Sequence, residues 1–140
     1  MKILVAVDGS AYTKRMLAYL AAHEEWLGDR HQYTLLHVVL PVPLRASHMV
    51  DKATLASYYA EHSDKVFKPL RTFFDRQGLK ASFVGKVGVA ADVVADVATK
   101  GRYDLLVMGS HGHSSLANLV MGSVATKVLA RCSTPALIVR

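Results

Sequence analysis

Between Met108 and Val124 the chain reads MGSHGHSSLANLVMGSV. Glycines stand at 109, 112 and 122, and the last is followed at once by Ser123. A wholly apolar run, Leu105 to Met108, precedes this stretch, and a helical pattern from Val124 to Cys132 follows it. A buried strand opening into a glycine-rich loop and then a helix restricts the chain to α/β architectures. It is also how such proteins hold phosphate. Backbone N–H groups converge, no Cβ blocks close approach, and the helix N-terminus carries partial positive charge.

The remaining elements agree with that class. Ile3 to Val7 is a continuous apolar run halted by Asp8-Gly9-Ser10, as expected of a buried parallel strand and its turn. Ser10 is positioned to cap a helix carrying Met16, Leu17, Leu20, Ala21 and Leu27 on one side and ending near Gly28. Tyr33 to Leu40 reads as a second strand, closed by Pro41 and Pro43, and residues 41–49 are long enough to act as a flap. A helical pattern spans Val50 to Gln77, with Gly78 as its stop and Pro69 either kinking or dividing it. Lys80 to Val87 is a weaker, more polar strand, suited to an edge. A short helix then presents Ala90, Val93, Val94, Val97 and Ala98 on one face. Tyr103 to Met108, a helix over Ser123 to Arg131 with Val124, Ala125, Val128 and Leu129 inward, and Pro135 to Val139 complete the series.

Strictly alternating strands and helices require an open parallel sheet with helices on both faces, joined by right-handed crossovers. Ligands of such sheets bind at the carboxyl ends of the strands, where the strand order reverses. Asp8, the segment after Val39 and the loop after Met108 all fall at that end. The 140 residues suit a single domain, 1–140, which buries roughly 68–70% of its unfolded surface and needs no staples. The apolar runs fall far short of the ~20 residues that cross a bilayer. No signal peptide is expected, because Met1-Lys2-Ile3 runs directly into a strand. Cys132 is the one cysteine and has no intrachain partner. It reads as a packed small hydrophobe, and both points favour a reducing, cytoplasmic setting.

The net charge of +6 is spread from Lys2 to Arg140, with only Lys14 and Arg15 adjacent. Nucleic-acid-binding domains cluster their charge and add stacking or base-reading groups, so a nucleic-acid partner is not expected. A mild basic excess suits an anionic small ligand. His111 and His113 lie two apart with no nearby Cys or acidic residue to complete a metal site, so no metal bound by the chain's own ligand set is expected. His37 and His62 read as satisfied histidines of the core or its rim.

Neither a Walker A loop nor the dinucleotide fingerprint G-x-G-x-x-G is present. The spacing is instead G-x2-G-x9-G-S, from Gly109-Ser110-His111-Gly112 to Gly122-Ser123. That motif resembles the nucleotide motif of the universal stress proteins. Ile3 to Ser10 is similar to the family's first strand and acidic turn, Leu35 to Val39 to its second strand, and Pro135 to Val139 to its last. The resemblance spans the chain. It implies a Rossmann-like sheet, related to the adenine nucleotide alpha hydrolases, with strand order 3-2-1-4-5, a homodimer, and ATP in the crevice. By the same resemblance, Asp8 faces the ribose or metal side of the nucleotide, and Val38 offers backbone groups to adenine. Met108 and Gly109 border ribose and phosphates, while His111, Gly112, Gly122, Ser123 and Val124 line the phosphate cradle. The turn Gly88-Val89-Ala90 departs from the pattern at Ala90, where many members carry proline; an effect on the helix start and not on the ligand is expected.

The alternatives at each position are plain. Gly109 and Gly112 also suit turns that need positive φ. Asp8 and Ser123 also suit helix capping. Asp8 is the one carboxylate expected at the crevice, where it holds Mg²⁺ through water. No acidic residue occurs between Met108 and Arg140 and the loop has no motif lysine. Slow hydrolysis at most is therefore expected, and a slow ATPase or autophosphorylating enzyme is the second reading. A dimerising module without nucleotide is the third. A helix N-terminus supplies up to ~2 kcal/mol per charge contact, whereas micromolar affinity takes about 8 kcal/mol, so adenine burial must supply much of the rest. In the implied order, Ala136 to Val139 is a bare apolar edge. Pairing two copies across a two-fold axis hides both edges, so a homodimer through this strand is expected, alongside an unidentified protein partner and no membrane.

Overall fold

Strand β1 (Lys2–Ala6) lies at the centre of the sheet, which is why Ile3, Leu4 and Val5 are wholly buried. The computed structural model describes residues 1–114 and 118–140. After β1 come α1 (Ala11–Ala22), β2 (Gln32–Val39), the short α2 (Leu44–Ser47) and the long α3 (Lys52–Arg76). Then follow β3 (Ala81–Val87), α4 (Ala90–Lys100), β4 (Leu105–Gly109), α5 (Ser123–Arg131) and β5 (Ala136–Val139). The sheet is parallel throughout, in the order β3-β2-β1-β4-β5. β1 is flanked by β2 (Val5 opposite Leu35) and β4 (Val5 opposite Val107), so the strand order reverses on either side of it.

Side chains alternate between the two faces of a strand, and each face has its own core. On one, Ile3, Val5, Leu35 and Val107 meet Met16 and Leu20 of α1 and Phe67, Leu70 and Phe74 of α3. On the other, Leu4, Leu36 and Leu106 meet Val94 and Ala98 of α4 and Val128 of α5. Cys132 is buried in that second core, where the Thr99 hydroxyl donates to its Sγ at 3.7 Å.

Several boundaries differ from those the sequence suggests. Helix α1 ends at Ala22, well short of Gly28, and Ala21 is exposed. His23 halts it in an extended conformation, its ring stacked on Tyr19 and its Nδ1 2.7 Å from the Tyr19 carbonyl. The following turn is tied by the Tyr33 hydroxyl, which accepts from Gly28 N–H and contacts the Trp26 and Gly28 carbonyl oxygens. Burial raises the pKa of that hydroxyl, its largest influence. Helix α3 runs through Pro69 as one element, because Phe67, Leu70 and Phe74 anchor it to the sheet on both sides of the proline. His62 is exposed on α3, not part of the core or its rim. On α5 only Ala125 and Val128 are buried; Val124 and Leu129 are exposed. No described helix is long and apolar enough to cross a membrane.

Candidate functional site

Asp8 stands just beyond the carboxyl end of β1 and organises the turn into α1. Its Oδ1 accepts from Ser10 N–H at 2.9 Å and from the Thr13 hydroxyl at 3.0 Å, and Thr13 Oγ1 in turn accepts from Asp8 N–H at 3.2 Å. This is an Asx turn closed by a threonine. It displaces the expected capping role of Ser10. Ser10 holds the N-cap position, but its hydroxyl is buried and makes no cap bond. Asp8 therefore has a local structural task through Oδ1, while its Oδ2 lies beside Gly112.

The loop after β4 folds back on itself and onto that turn. Ser110 is buried; its N–H donates to the Val139 carbonyl and its own carbonyl accepts from Gly122 N–H at 2.7 Å. His111 fastens the loop from within, Nδ1 against Ser110 Oγ and Nε2 against the Leu119 carbonyl, both at 2.9 Å. His113 reaches across to β1 and donates from Nε2 to the Asp8 carbonyl at 2.6 Å. Residues 115–117 of the stretch singled out by sequence lie outside the described residues.

The three motif glycines correct the sequence reading in one respect. Positive φ among glycines occurs at Gly9, Gly78 and Gly88, and not at 109, 112 or 122. Their missing side chains also leave room for neighbouring protein atoms. A Cβ on Gly109 would lie 2.7 Å from Tyr12 Cβ, one on Gly112 2.7 Å from Asp8 Oδ2, and one on Gly122 3.1 Å from the Ser110 carbonyl oxygen. Each glycine lets the loop press against protein. The cup exists because the loop can pack that closely.

The result is one crevice at the carboxyl end of the sheet, with a volume of about 850 Å³ including its open mouth. Asp8, Val38, Met108 and Gly109 line it from the strand ends; His111, Gly112, Gly122, Ser123 and Val124 line it from the loop and α5. All nine residues selected by sequence are thus brought together. Val124 is 40% exposed because it faces this opening and not the core. Ala6, Leu36, Ala90 and Val94 add an apolar floor, so Ala90 both begins α4 and meets the crevice. Its effect was expected at the helix start alone. Sequence reasoning also missed Tyr12, Thr13 and Ser110. The first two sit one helical turn past Asp8, a spacing from which their approach could have been read.

The electrostatics favour an anion. Helix α5 makes its first internal bond from Thr126 N–H to the Gly122 carbonyl, so the N–H groups of Ser123, Val124 and Ala125 precede the ladder and are open to a ligand. Gly122 N–H is already committed to Ser110. Helices α1 and α4 also begin at this end of the sheet, adding their dipoles. An apolar floor for a planar base and a ring of unpaired amides for phosphate fit a nucleotide. Asp8 Oδ2 fits a hydrated Mg²⁺.

The model of the universal stress protein family matches residues 1–140. The chain belongs to the universal stress protein family. The universal stress protein Slr1230 of Synechocystis is 30% identical over 139 residues, which cover 99% of this chain. The chain spans 42% of the length of Slr1230, and about half that of two matching relatives from Methanocaldococcus jannaschii. Among solved structures, MJ0577 superposes with a TM-score of 0.83 at 23% identity, covering 99% of this chain and 94% of that one. A universal stress protein of Archaeoglobus fulgidus in complex with dAMP superposes with a TM-score of 0.68 at 18% identity, covering 100% of this chain and 98% of that one. These likenesses establish the shared fold.

Proposed function

We propose that this chain binds an adenine nucleotide, ATP with Mg²⁺, in the crevice between β1 and β4, and acts as a homodimeric, nucleotide-dependent regulator in the cytoplasmic stress response. The observation that carries the reading is the convergence of all nine motif residues on one crevice, with the free amides of α5 at one end and an apolar floor at the other. The dAMP complex of the Archaeoglobus relative supports an adenine nucleotide as the ligand class. Val38 offers its backbone to adenine, Met108 and Gly109 border the ribose, and the loop with Ser123 and Val124 receives the phosphates. Asp8 carries Mg²⁺ through water. The sole carboxylate lining the crevice among the described residues is Asp8, and Oδ1 of that group is held by Ser10 and Thr13. That supports binding over rapid hydrolysis, which needs cation clamps and a group that positions water.

Nucleotide occupancy reaches a protein partner through residues 41–49. Leu44 and Met49 are 76% and 88% exposed there, and the segment is tied to α3 by Val42 N–H donating to the Tyr59 hydroxyl. Dimerisation proceeds through the outer edge of β5, which has no strand beyond it among the described residues. Mass spectrometry of ligand released from freshly purified, denatured protein tests the reading. An adenine nucleotide is expected. A ligand of another class, or protein that neither carries nor takes up adenine nucleotide, overturns it.

A further inference from the structure

We infer that Arg15 is the residue by which the crevice distinguishes a nucleoside triphosphate from a monophosphate. The inference rests on the nucleotide reading above and adds a residue outside the glycine motif.

The crevice lining contains no lysine or arginine among the described residues, and its one carboxylate is Asp8. Helix N-termini supply only about half a charge each. A triphosphate brings several negative charges, and its outer phosphates extend toward the mouth. Mg²⁺ at Asp8 offsets part of that charge, and a side-chain cation for the remainder has to approach from just outside the lining. Arg15 is placed to do so. Its guanidinium carbon lies 4.9 Å from the centre of the Tyr12 ring, and Tyr12 lines the crevice. The Tyr12 ring in turn lies 5.2 Å, centre to centre, from that of His111 in the phosphate loop. Tyr12 thus contacts both Arg15 and His111 of the phosphate loop. Among the described residues, no other lysine or arginine makes a hydrogen bond, ion pair or cation–π contact with a crevice-lining side chain.

The chemistry suits the task. A guanidinium stacked on an aromatic face keeps its N–H fork free at the ring edge, and that fork matches phosphate geometry. Stacking also restricts a side chain that would otherwise be mobile, so less freedom is lost when phosphate arrives. Arg15 is exposed and stands three residues after Tyr12 on α1, the spacing that brings two side chains of a helix together, so the helix itself holds the guanidinium over the ring. A monophosphate would rest on Ser123 and Val124 and stop short of Arg15.

Calorimetric titration of ATP and of AMP, each with Mg²⁺, into wild-type protein, Arg15→Gln and Arg30→Gln tests this. Arg30 removes the same charge at the opposite end of the sheet. The expected result is a fall of roughly fivefold in the ratio of ATP to AMP affinity for Arg15→Gln, abolished at high salt, and an unchanged ratio for Arg30→Gln. Tyr12→Leu, which removes the platform, should reproduce part of the fall. An unchanged ratio in Arg15→Gln, or an equal fall in Arg30→Gln, overturns the role of Arg15 and leaves nucleotide binding standing. Wild-type protein that binds neither nucleotide overturns the nucleotide reading and this inference with it.

Discussion

Gly112 and Asp8 touch across the mouth of the sheet: a Cβ on Gly112 would stand 2.7 Å from Asp8 Oδ2. Residues more than a hundred positions apart are thereby packed as one surface, with the His113–Asp8 hydrogen bond beside them. Gly112→Ala must displace the Asp8 carboxylate from its place beside the loop. We expect on the order of tenfold weaker ATP binding, with the far-ultraviolet circular dichroism unchanged. Undiminished affinity would show that the close approach is not what shapes the cup.

Asp8 joins the turn to the ligand. Asp8→Ala removes the acceptor for Ser10 N–H and the Thr13 hydroxyl, and should cost about 1–2 kcal/mol of stability in urea unfolding. It should also abolish the Mg²⁺ dependence of ATP binding. A variant of wild-type stability would remove the structural half of this account.

Much of the architecture was legible in the sequence, because apolar blocks ending in Asp8 or in glycine are strong local signals. Where the reading slipped at α3, a tertiary contact decided: the helix continues through Pro69 because three buried residues hold it to the sheet. Helix α1 stops early for a local reason instead: the His23 ring nitrogen takes the Tyr19 carbonyl, and the His23 N–H turns to the Leu20 carbonyl. The site was legible as a set of positions, since G-x2-G-x9-G-S marks them. The work done by the glycines was not legible, because which atom a missing Cβ would meet depends on the folded partner.

Pro69 marks a site of recoverable stability. It is exposed within the continuous α3 and lacks the N–H its position would use. Pro69→Ala should stabilise the fold by about 1–2 kcal/mol and raise Tm by several degrees in calorimetry. A lower Tm would mean that the proline is required where it stands.

Asp51 caps the start of α3, accepting from Thr54 N–H at 2.7 Å and from its hydroxyl at 3.1 Å. The Thr54 N–H bond, and then its hydroxyl, hold the carboxyl below its ordinary value of 3.8. A depressed carboxylate stabilises the fold above that value and ceases to do so as pH falls through the folded pKa. Asp51→Ala should therefore melt earlier than wild type at neutral pH, and the difference should vanish in acid below the folded pKa. A gap that persists there would assign the effect to something other than the charged cap.

The central claim is that polyphosphate lies against the free amides of α5 and the loop after β4. Two-dimensional ¹H–¹⁵N spectra of labelled protein titrated with ATP and Mg²⁺ test it most directly. The account predicts that the amide signals of Gly112, Ser123, Val124 and Ala125 move most, while those at the start of the strands stay in place. Amides that remain still at saturating ATP, or shifts confined to another face of the sheet, would contradict it.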